Sequence, residues 1–196
     1  TRGAFVALFF GFVALFIVLV IRSRKLLSGQ EVYRKWAISV LILLLVAPIL
    51  LWSFRQNPII RDNSVLGRLT SISLKDKTTQ SRFLIWQMSL KGFMDRPIFG
   101  WGQENYAAVF DQYYNPGMYA QEMWFDRVHN IVFDWLIAGG VIGLALYLSL
   151  MVTTLLLVWR TPSFAHYERA ILTGLFAGYF FYNLFTFDNI TSYLLF

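Results

Sequence analysis

Four long apolar stretches limit the architectures open to this chain more than any other feature. A helix needs about 20 apolar residues to cross the hydrocarbon core of a bilayer, and four stretches reach or approach that length. Composition agrees, because 57% of the residues are hydrophobic and only 14% are charged, unlike the average soluble domain. The sequence therefore predicts an all-α integral membrane protein. The predicted spans are 3–21, 36–54, 131–159 and 170–187.

Basic residues in the short connections predict the orientation of these spans. The first connection carries Arg22 and Lys25, and the third carries Arg160 and Arg169. Since Lys and Arg are enriched in cytoplasmic loops, we expect residues 55–130 to face outward. The net charge of +6 is then mainly an orientation signal, and no nucleic-acid partner is expected.

Three regions follow from this topology. Residues 1–54 hold two transmembrane helices and a basic cytoplasmic loop, 55–130 form an external catalytic loop, and 131–196 hold two more transmembrane helices. The chain begins at Thr1 and ends at Phe196 inside an apolar run, so we interpret it as a fragment of a larger polytopic protein. An external loop of this length is expected to be functional and partly folded.

Apolar spacing predicts two short helices within the external loop. The first runs over 81–94, with Ser81 as its N-cap and Phe83, Trp86, Leu90 and Phe93 as an apolar stripe. Its apolar side is expected to lie on the membrane surface or under a lid. The second runs over 104–113. In the third and fourth spans, glycines four residues apart predict close approach of neighbouring helices.

The residue types exclude several kinds of chemistry. There is no cysteine and there are only two histidines, which the topology places on opposite sides of the membrane. A zinc site needs three or four His, Cys or carboxylate ligands, so we expect neither a metal nor another cofactor. No dinucleotide-binding motif or serine-hydrolase elbow is present.

A polar cluster lies where the external loop meets the third span, formed by Asp126, Arg127, His129 and Asn130. Polar groups at a bilayer boundary are costly unless they are paired or used. His129 can exchange a proton near neutral pH. The structural alternative is that Asp126 pairs with Arg127 while His129 donates to a carbonyl.

One external histidine among several arginines suits group transfer from a diphosphate carrier. A base takes a proton from the acceptor hydroxyl, and fixed cations stabilise the departing diphosphate. Arginine is favoured because its planar fork binds two phosphate oxygens. For each arginine the alternative is a solvated or headgroup-binding cation. The candidate arginines are Arg68, Arg82, Arg96 and Arg127.

The order of several short motifs resembles the O-antigen ligase family, which also includes O-antigen polymerases and bacterial protein O-oligosaccharyltransferases. The resemblance covers roughly residues 64–145. The motifs are Gly67-Arg68, Ser81-Arg82-Phe-Leu-Ile-Trp86, Arg96-Pro97-Ile-Phe-Gly100-Trp101-Gly102, His129-Asn130 and Gly140-Val-Ile-Gly143.

The resemblance implies a GT-C-type glycosyltransferase of the bacterial inner membrane, which uses undecaprenyl-diphosphate-linked oligosaccharide without metal or nucleotide sugar. The resemblance also implies that His129 activates the acceptor hydroxyl and that Arg82 engages the lipid diphosphate. Asp126 and Asn130 are candidates for orienting His129. The acceptor is left open between lipid A core, another glycan and a protein. Further candidates for substrate binding are Arg68, Arg96, Arg127 and Trp101.

Two other classes of function stay open on the sequence. The first is a lipid-glycan transporter or binding protein without catalysis, although ionisable residues within the spans are almost limited to Asp134 and Asp188, which disfavours proton-coupled transport. The second is a structural membrane subunit, which an aromatic and loop-rich exterior disfavours.

Overall fold

The structure is a computed structural model that describes residues 2–23, 31–70, 76–119 and 124–188, without the side chains of Arg2 and Arg68. All regular structure in these residues is helical, which confirms the predicted all-α class. The elements are α1 (Arg2–Arg22), α2 (Glu31–Ser53), α3 (Pro58–Arg61), α4 (Leu66–Thr70), α5 (Lys77–Asp95), α6 (Tyr106–Gln112), a 3-10 turn (Pro116–Met118), α7 (Ile131–Arg160) and α8 (His166–Asn183).

The chain divides into two compact units. Unit 1 consists of Thr1–Ile72 and Thr154–Tyr182, and unit 2 consists of Ser73–Thr153 and Asn183–Phe196. The division passes through α7 and near the end of α8. The predicted topological boundaries at residues 54 and 130 stay a prediction.

Three described helices are long and apolar enough to cross a membrane, namely Gly3–Arg22, Glu31–Ser53 and Ile131–Arg160. The fourth predicted span, 170–187, is not among them. The helix in that region begins at His166 and ends at Asn183. It carries polar residues in its first turn and is followed by a turn at Leu184, so its apolar run is shorter than the sequence suggested.

Glycines bring α1 and α8 together within unit 1. A Cβ atom at Gly174 would lie 2.8 Å from the Gly11 carbonyl oxygen, and one at Gly178 would lie 3.3 Å from the Ala7 carbonyl oxygen. Side chains larger than hydrogen would force the two backbones apart. The close helix approach predicted for the fourth apolar stretch is therefore confirmed.

Helix α5 differs from its prediction in both start and orientation. It begins at Lys77, after Asp76, so Ser81 lies inside the helix rather than at its N-cap. Phe83 and Leu90, two members of the predicted stripe, are about half exposed at 47% and 50%. The buried face consists of Ser81, Ile85, Met88, Ser89 and Gly92.

Small residues on this buried face allow α6 to pack closely, which explains the difference. A Cβ atom at Gly92 would overlap the Val109 side chain, and the Ser89 and Tyr106 hydroxyls share a hydrogen bond of 3.2 Å. The prediction for α5 was based on the spacing of large apolar side chains. The close contact between α5 and α6 depends instead on small side chains. The core of unit 2 is formed by Ile85, Met88, Tyr106, Val109, Phe110, Met118, Phe125, Val128 and Ile137.

Helix α7 is broken at Gly140, whose φ of 63° and ψ of −157° are not helical. The turn that follows α5 docks on this break. The Trp101 and Gly102 amides donate to the Ile137 and Ala138 carbonyls at 2.6 and 3.0 Å, and the Val141 amide donates to the Pro97 carbonyl at 2.8 Å. The turn thus supplies the hydrogen bonds that the helix loses at the break.

No other described helix lies against Gly139 or Gly143, so their predicted role in helix packing stays a prediction. A Cβ atom at Gly139 would meet no described atom within 4 Å, and one at Gly143 would meet Trp135 of the same helix at 3.5 Å. The close contact is at the adjacent Gly140, where a Cβ atom would lie 2.7 Å from the Pro97 carbonyl oxygen.

Candidate active site

A cavity of about 330 Å³ in unit 2 brings together the two residues that the sequence proposed for catalysis. Arg82 comes from the second turn of α5, and His129 comes from the segment that precedes α7. One basic, two hydroxyl-bearing and two apolar residues also line it. The lining residues are Lys77, Thr78, Ser81, Arg82, Ile85, Phe125 and His129.

Arg82 is the half-buried cation of this cavity. Its guanidinium carbon lies 6.0 Å from the centre of the Phe185 ring, and no acidic side chain among the described residues forms an ion pair with it. Burial lowers the pKa of Arg82 below its usual value, but an arginine in a protein stays protonated at neutral pH. Its charge is therefore available to an anion in the cavity.

His129 is held in an unusual backbone conformation between two aromatic rings. Its φ of 55° is in the left-handed region, which costs a residue with a Cβ atom about 1–2 kcal/mol. Its imidazole packs edge to face on Phe125 and Phe187, with ring centres 5.6 and 5.2 Å away. Strained residues of this kind concentrate at functional sites, and His129 lines the cavity.

Asn130 is the N-cap of α7. Its Oδ1 accepts hydrogen bonds from the Val132 and Phe133 amides at 3.0 and 3.3 Å, and its Nδ2 donates to the Leu184 carbonyl at 3.2 Å. Helix N-termini have unpaired amides that such a side chain satisfies. Asn130 thus holds the backbone next to His129. Its role in orienting His129 stays a prediction, and it would act through the main chain.

Asn130→Ala is expected to lower the free energy of unfolding by about 0.5–2 kcal/mol, because the α7 amides lose their cap. Thermal unfolding of the purified protein measures the change. Asn105→Ala is the matched control, since Asn105 precedes α6 without accepting a capping hydrogen bond. Equal stability losses for the two variants would contradict a capping role for Asn130.

Arg127 lies outside the cavity and is engaged by carboxylates. It pairs with Glu104 at 2.6 Å and Asp134 at 3.4 Å, and it donates to the Asp188 carbonyl at 3.3 Å. Its guanidinium also covers the Phe187 ring at 5.0 Å. The alternative that Arg127 pairs with Asp126 is therefore not realised, because Arg127 pairs with Glu104 and Asp134 instead.

Two other predicted substrate-binding residues, Arg96 and Trp101, are not among the described residues that line the cavity. The Arg96 guanidinium stacks on Trp101 at 4.3 Å, and the Trp101 indole donates to the Gly92 carbonyl at 2.7 Å. Asp126 is exposed and borders a separate space of about 10 Å³. Arg68 belongs to unit 1, and its side chain is outside the described structure. Their functional roles stay predictions.

The site also includes residues that were not predicted from the sequence. Lys77 and Phe125 line the cavity, Phe187 packs on His129, and Glu104 anchors Arg127. Lys77 and Arg82 are both in the first two turns of α5. Their proximity could have been predicted if the start of the helix had been known. Phe187 and Glu104 are distant in sequence, so only tertiary structure brings them here.

The described residues contain no group of three His, Asp or Glu side chains placed to bind a metal ion. The sequence model of the O-antigen ligase family matches residues 1–148. The chain belongs to the O-antigen ligase family. The matched stretch contains Arg82 and His129 as well as the Gly140 break. No curated protein and no solved structure matches the chain significantly.

Membership in the O-antigen ligase family confirms the resemblance that the motif order suggested. It makes this chain part of a membrane protein family of glycan ligases and polymerases. The three apolar helices agree with that class. Lipid-linked glycans and their acceptors are the general kinds of partner that the O-antigen ligase family implies.

Proposed function

We propose that this protein transfers an oligosaccharide from undecaprenyl diphosphate to an acceptor hydroxyl, with His129 as general base and Arg82 as the diphosphate ligand. The observation that carries the proposal is that Arg82 and His129 line the same cavity. A base and a fixed cation must face one substrate to act in one displacement.

The proposed step is a displacement at the anomeric carbon of the donor sugar. An imidazole nitrogen of His129 accepts the proton of the acceptor hydroxyl as its oxygen bonds to that carbon. The bond from the anomeric carbon to the diphosphate oxygen breaks, and the electron pair leaves with the undecaprenyl diphosphate. Arg82 stabilises the negative charge that develops on the leaving group.

The position of Arg82 and Lys77 at the start of α5 supports diphosphate binding. Both line the cavity from the first two turns of a 19-residue helix. The helix dipole places partial positive charge at this end, which favours anions. Arginine can bind two phosphate oxygens at once, whereas lysine acts as a point charge.

We propose further that transfer needs no metal and occurs at the outer face of the bacterial inner membrane. Among the described residues, those that line the cavity include no carboxylate, whereas Mg²⁺ is bound through carboxylates together with phosphates. The basic connections after α1 and α7 support an outward-facing 55–130 segment by the positive-inside rule.

His129→Ala is expected to lower transfer by about 10²–10⁴-fold, because loss of a general base has effects of that size. The measurement is product formation by the full-length protein from a lipid-diphosphate oligosaccharide, with EDTA present. His166→Ala is the matched control, since it removes the other histidine of the chain, which is exposed.

Wild-type and His166→Ala protein should form product in EDTA at similar rates, and His129→Ala should form it about 10²–10⁴-fold more slowly. Product from His129→Ala at the wild-type rate would contradict the proposed base. Activity that disappears in EDTA and returns with a divalent cation would overturn metal independence alone.

A further inference from the structure

Helix α7 is longer than a bilayer requires. It has 30 residues, or about 45 Å at 1.5 Å per residue, whereas the hydrocarbon core is about 30 Å thick. The break at Gly140 leaves about 20 residues before the helix ends at Arg160, which is the length of one span.

The two parts of α7 have different surroundings. Before the break, Ile131 and Ile137 are buried within unit 2, at 1% and 2% exposure, and Asp134 pairs with Arg127. After the break, Leu146 and Leu150 are 65% and 62% exposed. A charged pair is costly in hydrocarbon, whereas exposed leucines are expected there. These surroundings therefore favour a start of the hydrocarbon core at the break rather than at Ile131.

The turn that docks on this break has two exposed apolar side chains. Ile98 and Phe99 are 58% and 76% exposed, although they lie between Pro97 and Gly100, whose backbones contact α7 at Gly140. These contacts fix the depth of the turn relative to the span. The side chains of Ile98 and Phe99 are therefore held at the level where the bilayer-length part of α7 begins.

We propose that Gly140 marks the membrane boundary and that Ile98 and Phe99 insert into the lipid at this level. The occupant is bilayer lipid, because the turn is hydrogen-bonded to Val141, which is 53% exposed at the start of the apolar span. Neighbouring Arg96 is exposed and suits the adjacent layer of headgroup phosphates. The inference does not depend on the proposed glycan transfer.

The absence of cysteine from the sequence permits a clean test by single-site labelling. Phe99→Cys and Ile98→Cys are labelled with an environment-sensitive fluorophore in vesicles of phosphatidylethanolamine and phosphatidylglycerol. Leu146→Cys is the control within the span, about 9 Å further along the helix axis from Gly140. Asp111→Cys, on an exposed position of α6, is the control in water.

The labels at 98 and 99 should lose at least about half of their emission to lipids with a nitroxide near the carbonyl end of the acyl chain, the depth at which interfacial apolar groups lie. They should also be shielded from aqueous iodide. The label at Leu146→Cys should be quenched more strongly by a nitroxide deep in the acyl chain. The label at Asp111→Cys should be quenched by iodide.

Two results would overturn the proposal. Iodide quenching at both 98 and 99 would mean that the turn faces water. Quenching by neither iodide nor nitroxide lipid would mean that a protein segment covers the turn. Because neither readout involves glycan transfer, failure here is separate from failure of the proposed function.

Discussion

Arg82→Ala should lower kcat/KM for glycan transfer by about 10²–10³-fold, the effect of removing one preorganised charge-stabilising group. Arg82 is half buried, has no acidic partner among the described residues, and lines the cavity with His129. Its removal leaves Lys77 as a cation among the described residues of the wall, so transfer is expected to fall without vanishing. The measurement is the initial rate at several donor concentrations.

Arg82→Lys separates charge from geometry at this position. Lysine keeps the positive charge but cannot bind two oxygens in a planar fork, so partial recovery is expected. Arg61→Ala is the matched control, because Arg61 is exposed and pairs with Asp62 in unit 1. Wild-type kinetics in Arg82→Ala, or an equal loss in Arg61→Ala, would contradict a specific role for Arg82.

Gly140→Ala is expected to destabilise unit 2 by at least about 3 kcal/mol, because two penalties combine. The φ and ψ of Gly140 are in a region that is essentially restricted to glycine. A Cβ atom would also lie 2.7 Å from the Pro97 carbonyl oxygen, so the backbone of the docked turn would have to shift. Thermal unfolding and the yield of monodisperse protein in detergent measure the loss.

Gly139→Ala provides a control one residue away. Gly139 is helical, and a Cβ atom there meets no described atom within 4 Å. Alanine is favoured over glycine in a helix by about 0.5–1 kcal/mol, so this variant should be as stable as wild type or slightly more so. A Gly140→Ala protein with the stability of Gly139→Ala would contradict the docked break.

The sequence predicted the fold where apolar length decides the outcome and at the glycines of α8, but it did not predict the orientation of α5 or the break in α7. Three of the four long apolar stretches form helices long enough to cross a membrane. The orientation of α5 was missed because Ser89 and Gly92 form its contact with α6. The break in α7 was missed for a related reason, since Gly139 and Gly140 look equivalent until the docked turn is known.

The candidate site was predictable in its residue types but not in its partners. His129 and Arg82 followed from the scarcity of histidine, the chemistry of diphosphate leaving groups and the order of the motifs. Their common cavity requires α5 to begin at Lys77 and the 125–129 segment to fold beside it, which no local pattern specifies. Arg127 looked like another phosphate ligand because its carboxylate partner Glu104 is 23 residues away in the chain.

Donor binding measured together with turnover tests most directly whether Arg82 and His129 serve one reaction. The experiment compares wild type, Arg82→Ala and His129→Ala with one undecaprenyl-diphosphate-linked oligosaccharide. His129→Ala should bind the donor within about threefold of wild type while losing turnover, and Arg82→Ala should lose donor affinity as well. Undiminished turnover in His129→Ala, or wild-type donor affinity in Arg82→Ala, would contradict the account.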